Sequence, residues 1–191
     1  MEAFLVSASI VALAEIGDKT QLLALVLAAR YRRPLPIITG IFIATLVNHA
    51  LAGLVGRVVV HFLGPTVLRY GLAAAFFGMA AWILVPDTLD ENEALPTNRY
   101  GILGTTVVAF FLAEMGDKTQ IATIALAARY ASVIWVVCGT TVGMLLANVP
   151  AVLIGHRLAG RLPTQWIHRL AALIFAALGC VVLLTPIADF G

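Results

Sequence analysis

The sequence predicts an all-α integral membrane protein with six transmembrane helices arranged as two inverted three-helix repeats. Three observations carry this reading. The chain is 61% hydrophobic and only 12% charged, with a mean hydropathy of +1.00, whereas a soluble domain would carry about twice that charged fraction. Its apolar residues gather in six segments, each near the roughly 20 residues that a spanning helix needs. One charged stretch occurs twice, displaced by 99 residues: Ala14-Glu15-Ile16-Gly17-Asp18-Lys19-Thr20-Gln21 and Ala113-Glu114-Met115-Gly116-Asp117-Lys118-Thr119-Gln120.

The first segment runs from Phe4 to Ala29 and ends at Arg30-Tyr31-Arg32-Arg33-Pro34. The second covers Leu35 to Val60, polar only at Thr39, Thr45 and Asn48-His49, before Gly64-Pro65 breaks the chain. The third, Leu68 to Val85, stops at Pro86, and the polar stretch Asp87 to Asn98 holds four acids and Pro96. The fourth covers Tyr100 to Ala128, and the fifth Val133 to Ile154. A loop containing His156, Arg157, Arg161 and Pro163 leads to the sixth, Ile167 to Thr185, closed by Pro186. Helices are expected because they alone, as open-ended elements, satisfy their backbone polar groups within lipid. Trp82, Trp135 and Trp166, near segment ends, read as interfacial anchors.

The halves match beyond the charged stretch. Arg30-Tyr31 pairs with Arg129-Tyr130, Asn48 with Asn148, Arg69 with Arg169 and Pro86 with Pro186, with one residue of slippage. Such correspondence points to gene duplication. Three spans per half is an odd number, so the second half enters the membrane upside down relative to the first. Residues 1–87 then form the first repeat, 88–99 an acidic linker and 100–191 the second repeat. Arginines set the expected orientation. Arg30, Arg32, Arg33, Arg99, Arg157, Arg161 and Arg169 lie on one side, against Arg57, Arg69 and Arg129 on the other. This places the linker in the cytosol and the N-terminus outside.

Composition also excludes several classes. The net charge of +2 comes with no basic run and no interleaving of aromatic and basic residues, so no nucleic-acid partner is expected. Cys138 and Cys180 both lie in apolar stretches, which argues against a structural disulfide or a Cys-ligated metal. Glu2 and Glu15 break the pattern of a cleavable signal.

The duplicated stretch carries the chemistry. On a continuous helix, Glu15 and Asp18 share one face, Gln21 extends it, and Lys19 lies one turn beyond Glu15. Glu114, Asp117, Lys118 and Gln120 repeat the geometry. Gly17 and Gly116 let another backbone come close or let the helix unwind. Charges inside a membrane mark ion paths by default, and binding sites of inverted-repeat transporters lie at the midplane between the halves. Four carboxylates and two ammonium groups leave a formal charge of −2, the complement of one divalent cation. The expected ligands are Glu15, Asp18, Thr20 and Gln21 with Glu114, Asp117, Thr119 and Gln120. Gly17, Lys19, Asn48, Gly116, Lys118 and Asn148 stand in support. This oxygen set suits Ca²⁺, Mg²⁺ or Mn²⁺ better than Cu⁺ or Zn²⁺. Paired carboxylates in low dielectric hold protons when no metal is bound. Exchange of one divalent ion for two protons would therefore keep the buried charge constant.

The plainer alternative is that Glu15–Lys19 and Glu114–Lys118 are neutralised structural pairs. It leaves Asp18 and Asp117 uncompensated and does not account for the duplication. Asn48 and Asn148 can supply carbonyl ligands, although an Asn in a membrane helix is more often an interhelical hydrogen bond. His49 has Val149 opposite it in the second half and falls outside the site.

At Glu15-Ile16-Gly17-Asp18-Lys19-Thr20 and Glu114-Met115-Gly116-Asp117-Lys118-Thr119 the sequence resembles the GDT1-type cation transporters. Their signature is Glu-x-Gly-Asp-(Lys/Arg)-(Thr/Ser) on the first and fourth membrane helices. The resemblance spans essentially the whole chain. It implies a secondary transporter, not an enzyme, that exports Mn²⁺ and in some members Ca²⁺ from the cytosol in exchange for protons. It implies no cofactor beyond the transported ion. The compact length resembles the bacterial manganese exporters, which points to the cytoplasmic membrane. The expected partners are a divalent ion, protons and the lipid bilayer, and a homo-oligomer is compatible with the sequence. Exporters of the lysine-efflux type are similar in helix count, so a small cationic organic solute such as a basic amino acid is the alternative cargo.

Overall fold

The structure, a computed structural model, describes residues 1–85, 101–154 and 164–184. The acidic linker, the loop bearing His156, Arg157 and Arg161, and Pro86 and Pro186 lie outside the described residues. Eight helices form the described part: α1 Glu2–Glu15, α2 Lys19–Tyr31, α3 Pro34–Phe62, α4 Pro65–Trp82, α5 Gly101–Glu114, α6 Lys118–Arg129, α7 Val133–Ile154 and α8 Thr164–Leu184. Four expected segments appear as single helices, α3, α4, α7 and α8. The first and fourth do not. Each breaks inside the charged stretch, into α1 and α2 or α5 and α6, so the continuous helix expected there is corrected to two half-helices.

The cause is local. Gly17 and Gly116 adopt φ of 86° and 76°, a left-handed conformation that side-chain-bearing residues avoid. A Cβ added at Gly116 would meet nothing within 4 Å, so its need for glycine is conformational, not spatial. At about 1.5 Å per residue, each half-helix of 12 to 14 residues is about 20 Å long, too short to cross a hydrocarbon core of about 30 Å alone. By contrast Pro34–Phe62 and Val133–Leu153 are each long and apolar enough to cross one. Other boundaries follow from proline and backbone handedness. Arg32 closes α2 in a left-handed conformation at φ 52°, and Pro34 and Pro65 begin α3 and α4 at positions where a missing N–H costs nothing.

The two halves of the chain interlock reciprocally. Helix α1 packs on α7 as α5 packs on α3, and α2 meets α7 as α6 meets α3. The correspondence extends to single residues. A Cβ on Gly139 of α7 would lie 2.5 Å from the Phe4 carbonyl oxygen and 2.9 Å from the Ser7 Cβ of α1. A Cβ on Gly40 of α3 would lie 2.7 Å from the Thr106 Cβ and 3.1 Å from the Leu103 carbonyl oxygen of α5. Gly40 and Gly139, Phe4 and Leu103, and Ser7 and Thr106 are all separated by the same 99 residues as the charged stretches.

Two buried apolar clusters flank this crossing. One joins α1, α4, α6 and α8 through Ile10, Leu72, Phe76, Leu126 and Phe175, with the Phe76 and Phe175 rings 6.4 Å apart. The other joins α2, α3, α5 and α7 through Leu27, Ile41, Phe110 and Val152. The outer surface is apolar as well, with Leu46, Leu51, Leu54, Leu146, Leu153 and Leu173 exposed. A surface of that kind is what lipid covers and water does not. Trp82, Trp135 and Trp166 are exposed near helix ends, and Cys138 and Cys180 are free, exposed thiols.

Lipid is as apolar as leucine, so close van der Waals packing has to hold such helices together. Gly143 repeats the device one turn beyond Gly139, its added Cβ falling 2.5 Å from the Ala8 carbonyl oxygen. Gly139→Val should therefore force α1 from α7 and destabilise the protein by about 1–3 kcal/mol. Gly71→Ala, where the new methyl meets nothing within 4 Å, should leave stability unchanged or slightly raised. Thermal unfolding of the two variants in detergent compares them. Equal losses in both would disprove the close-packing account.

Candidate metal centre

Both breaks are built alike. Glu15 is the last residue of α1 and Asp18 the N-cap of α2; Glu114 and Asp117 hold the same places at α5 and α6. A half-helix N-terminus carries partial positive charge, so an aspartate there is favourably placed. The glutamines brace the breaks. Gln21 Oε1 accepts from the Gly17 N–H at 3.0 Å and Gln120 Oε1 accepts from the Gly116 N–H at 2.7 Å. Gln21 Nε2 also donates to the Ala147 carbonyl oxygen of α7 at 3.0 Å. Their amide oxygens, expected as ligands, are thus engaged in holding the backbone.

The threonines hold the glutamates. Thr20 Oγ1 donates to Glu15 Oε2 at 2.6 Å, and Thr119 Oγ1 donates to Glu114 Oε2 at 2.8 Å. The other oxygen of each glutamate, Oε1, is buried and accepts no hydrogen bond among the described residues. Each carboxylate is therefore aimed by one oxygen, with the second left to face something else.

The lysines cross between the halves. Lys118 Nζ lies 3.2 Å from Asp18 Oδ1, with both side chains nearly fully buried, and Lys19 Nζ lies 3.7 Å from Asp117 Oδ1. This corrects the within-stretch pairing of Glu15 with Lys19 and of Glu114 with Lys118. The backbone leaves the helix between those residues, so the i to i+4 geometry is lost. It also corrects the idea that the aspartates lack compensation, since each meets the lysine of the other half. A buried pair of this kind costs desolvation that the mutual attraction has to offset, so its net contribution to stability is small.

With Asp18 on Lys118, one oxygen each from Glu15, Glu114 and Asp117 comes together, all within 4.8 Å of one another. Glu15 and Glu114 are 1% exposed and Asp117 5%. Oxygens around one divalent ion at about 2.0–2.6 Å lie at most about 4 to 5 Å apart, so this spacing can hold a metal ion. The three acids and Lys19 carry a formal −2. Asn48 and Asn148 are buried on α3 and α7. Asn48 Nδ2 donates to the Phe111 carbonyl oxygen on α5 at 3.0 Å, whereas Asn148 Nδ2 donates within α7 to the Met144 carbonyl oxygen at 3.1 Å. Both Oδ1 atoms are buried and accept nothing among the described residues.

One residue at the breaks escaped sequence reasoning. His168 of α8 has its Nε2 2.7 Å from the Ile16 carbonyl oxygen. Nothing in composition or spacing signals it, because a lone histidine near a segment end has no counterpart in the first half. His49, placed outside the site, is fully buried on α3 and neither ring nitrogen has a hydrogen-bond partner among the described residues.

Known proteins resemble this chain over most of its length. Residues 3–91 and 102–189 match the family described as "Divalent cation/proton antiporter GDT1". A protein of Vibrio cholerae named "Putative manganese exporter" is 53% identical over 176 residues, covering 92% of this chain and 87% of that protein. A GDT1-like protein of Synechocystis is 28% identical over 209 residues, covering 98% of this chain and 100% of its own. GDT1-like protein 5 of Arabidopsis thaliana is 27% identical over 224 residues, covering 98% and 97%. No solved structure matches. With both halves matched and the charged stretch present in each, the chain belongs to the GDT1 family of membrane divalent cation/proton antiporters.

Proposed function

We propose that this protein exports Mn²⁺ from the cytosol in exchange for protons, with Ca²⁺ as a weaker cargo, through a midplane site shared by two inverted repeats. The observation that carries the reading is the convergence of Glu15, Glu114 and Asp117 oxygens within 4.8 Å, drawn from both halves. Glu15 and Glu114 bind the ion through their Oε1 atoms, with Asp117 as the third carboxylate. Asn48 and Asn148 add neutral oxygens, and Asp18 completes the acid set when its lysine moves. Thr20 and Thr119 orient the glutamates, and Gln21 and Gln120 brace the breaks. The name of the Vibrio relative supports manganese as the cargo.

Proton coupling follows from the same carboxylates. An ion and a proton compete for one oxygen, so a site emptied of metal takes up protons and carries them back. The reaction needs no resident cofactor. Repeats at residues 1–87 and 100–191, joined by a cytosolic linker at 88–99, put the two breaks in opposite senses at the same depth. Either half can then open its own side. The arginine bias favours an N-terminus outside, and the Vibrio relative favours a bacterial cytoplasmic membrane. Reciprocal contacts between the halves suit this arrangement.

Uptake into proteoliposomes under an imposed pH gradient tests the function. Wild-type protein should move Mn²⁺ with counter-movement of protons. Glu15→Gln and Glu114→Gln, which keep shape and remove charge, should lose at least about tenfold in rate while remaining folded. Full rates in both variants would reject the shared site. Affinity should also fall as pH drops, because protonated carboxylates offer the ion less charge. Equilibrium Mn²⁺ binding that stays flat from acidic to alkaline pH would count against antiport.

Sidedness has its own test. Single cysteines at Asp90, Glu93, Thr66 and Ser132, in a background lacking Cys138 and Cys180, should label from opposite faces with an impermeant thiol reagent. The first two should react from the cytosolic side and the last two from outside. Labelling of all four from one side would refute the three-plus-three arrangement.

A further inference from the structure

The two breaks are built from the same residues, yet they are not held alike. Where α1 stops at Glu15, Ile16 turns extended at φ −67° and ψ 113°. Its carbonyl loses the N–H four residues on that a continuous helix would supply. His168, reaching from α8, stands in for it at 2.7 Å. A carbonyl oxygen can only accept, so the ring carries its proton on Nε2 and donates. The corresponding residue of the second break is Met115, which is 55% exposed, whereas Ile16 is partly buried. Matching Arg69 with Arg169 sets Leu68 against His168, and leucine has nothing to donate. Among the described residues no side chain donates to the Met115 carbonyl. The first break is therefore tied to α8, while the second has no such tie among the described residues.

We propose that His168 is a positioning residue that sets metal specificity, through its hydrogen bond to the Ile16 carbonyl beside the carboxylate cluster. The inference rests on the divalent-cation reading above and deepens it. Ile16 lies between Glu15 and Asp18, so its carbonyl is a backbone oxygen next to the ligand set. Unwound carbonyls at such breaks are natural cation ligands. While His168 holds it, that oxygen is withheld from the ion and the break is kept from flexing. Ca²⁺ takes six to eight oxygens at about 2.3–2.6 Å in adaptable geometry, whereas smaller divalent ions require about six in near-octahedral order. A site that is one oxygen poorer and stiffer on one side disfavours the larger ion. Releasing the carbonyl supplies the extra ligand and the slack that Ca²⁺ uses.

The test compares His168→Leu, which installs the residue found at the matching place in the first half, with His168→Gln, which keeps an N–H donor. Full-length protein is purified for Mn²⁺ and Ca²⁺ binding in detergent and reconstituted for initial uptake rates of each ion. In the Leu variant the Mn²⁺-to-Ca²⁺ affinity ratio should move toward Ca²⁺ by roughly five- to tenfold, the scale of one net hydrogen bond. The shift should appear in KM and binding more than in maximal rate, and the Gln variant should stay close to wild type. Equal loss for both ions would mark His168 as merely structural and overturn the inference, as would an unchanged ratio. Should the Leu variant not fold, His168→Asn serves in its place. Its shorter amide cannot span to Ile16, so a wild-type ratio in it would also overturn the inference. Wild-type protein that binds and moves neither ion would instead reject the function on which the inference depends.

Discussion

Four carboxylates and two ammonium groups inside an apolar protein are the constraint on which the rest of this structure depends. Ions withdrawn from water need partners within hydrogen-bonding reach, and a regular helix cannot place them all. The break at Gly17 and Gly116 resolves this. It ends one half-helix at a glutamate and starts the next at an aspartate, so each acid meets a helix end instead of a helix flank. The lysines then face away from their own stretch and meet the aspartates of the other half. Each half is electrostatically incomplete without its counterpart.

That dependence demands a rigid frame, and the frame cannot come from hydrophobic burial alone. The glycines at Gly40 and Gly139 bring α3 onto α5 and α7 onto α1 until backbone carbonyls touch the facing helix. Close packing of this sort fixes how α1 and α5 sit against α7 and α3. Gln21 transmits it to the site, since its amide joins the Gly17 N–H to the Ala147 carbonyl of α7. The glutamates are aimed by their threonines, so the cluster is oriented by neighbours that themselves sit on packed helices.

The near-symmetry is interrupted where function would need a difference. Lys118 is sealed with Asp18, while Lys19 is a quarter exposed and farther from Asp117. The first break is tied by His168 and the second is open at Met115. The tie at the first break is written into the sequence, since the first half has Leu68 at the place that matches His168.

The composition and the apolar segments point to a helical membrane protein, and the duplicated stretch carries the resemblance to this family, because those properties depend on residue type and spacing along the chain. The acids that converge, Glu15, Glu114 and Asp117, were legible for the same reason: charge in an apolar setting is conspicuous in one dimension. Three things were not. The helical phase of Glu15 and Lys19 suggested a pair, but whether Gly17 merely makes room or breaks the helix depends on a φ of 86° that only the folded backbone selects. The pairing of Lys118 with Asp18 and the engagement of Gln21 with Ala147 join residues 100 and 126 positions apart, and no local pattern encodes them. His168 belongs to the same class, a single polar side chain whose partner is a backbone carbonyl 152 residues away. Residue chemistry determined what had to be buried here, and the crossing of helices decided which groups meet.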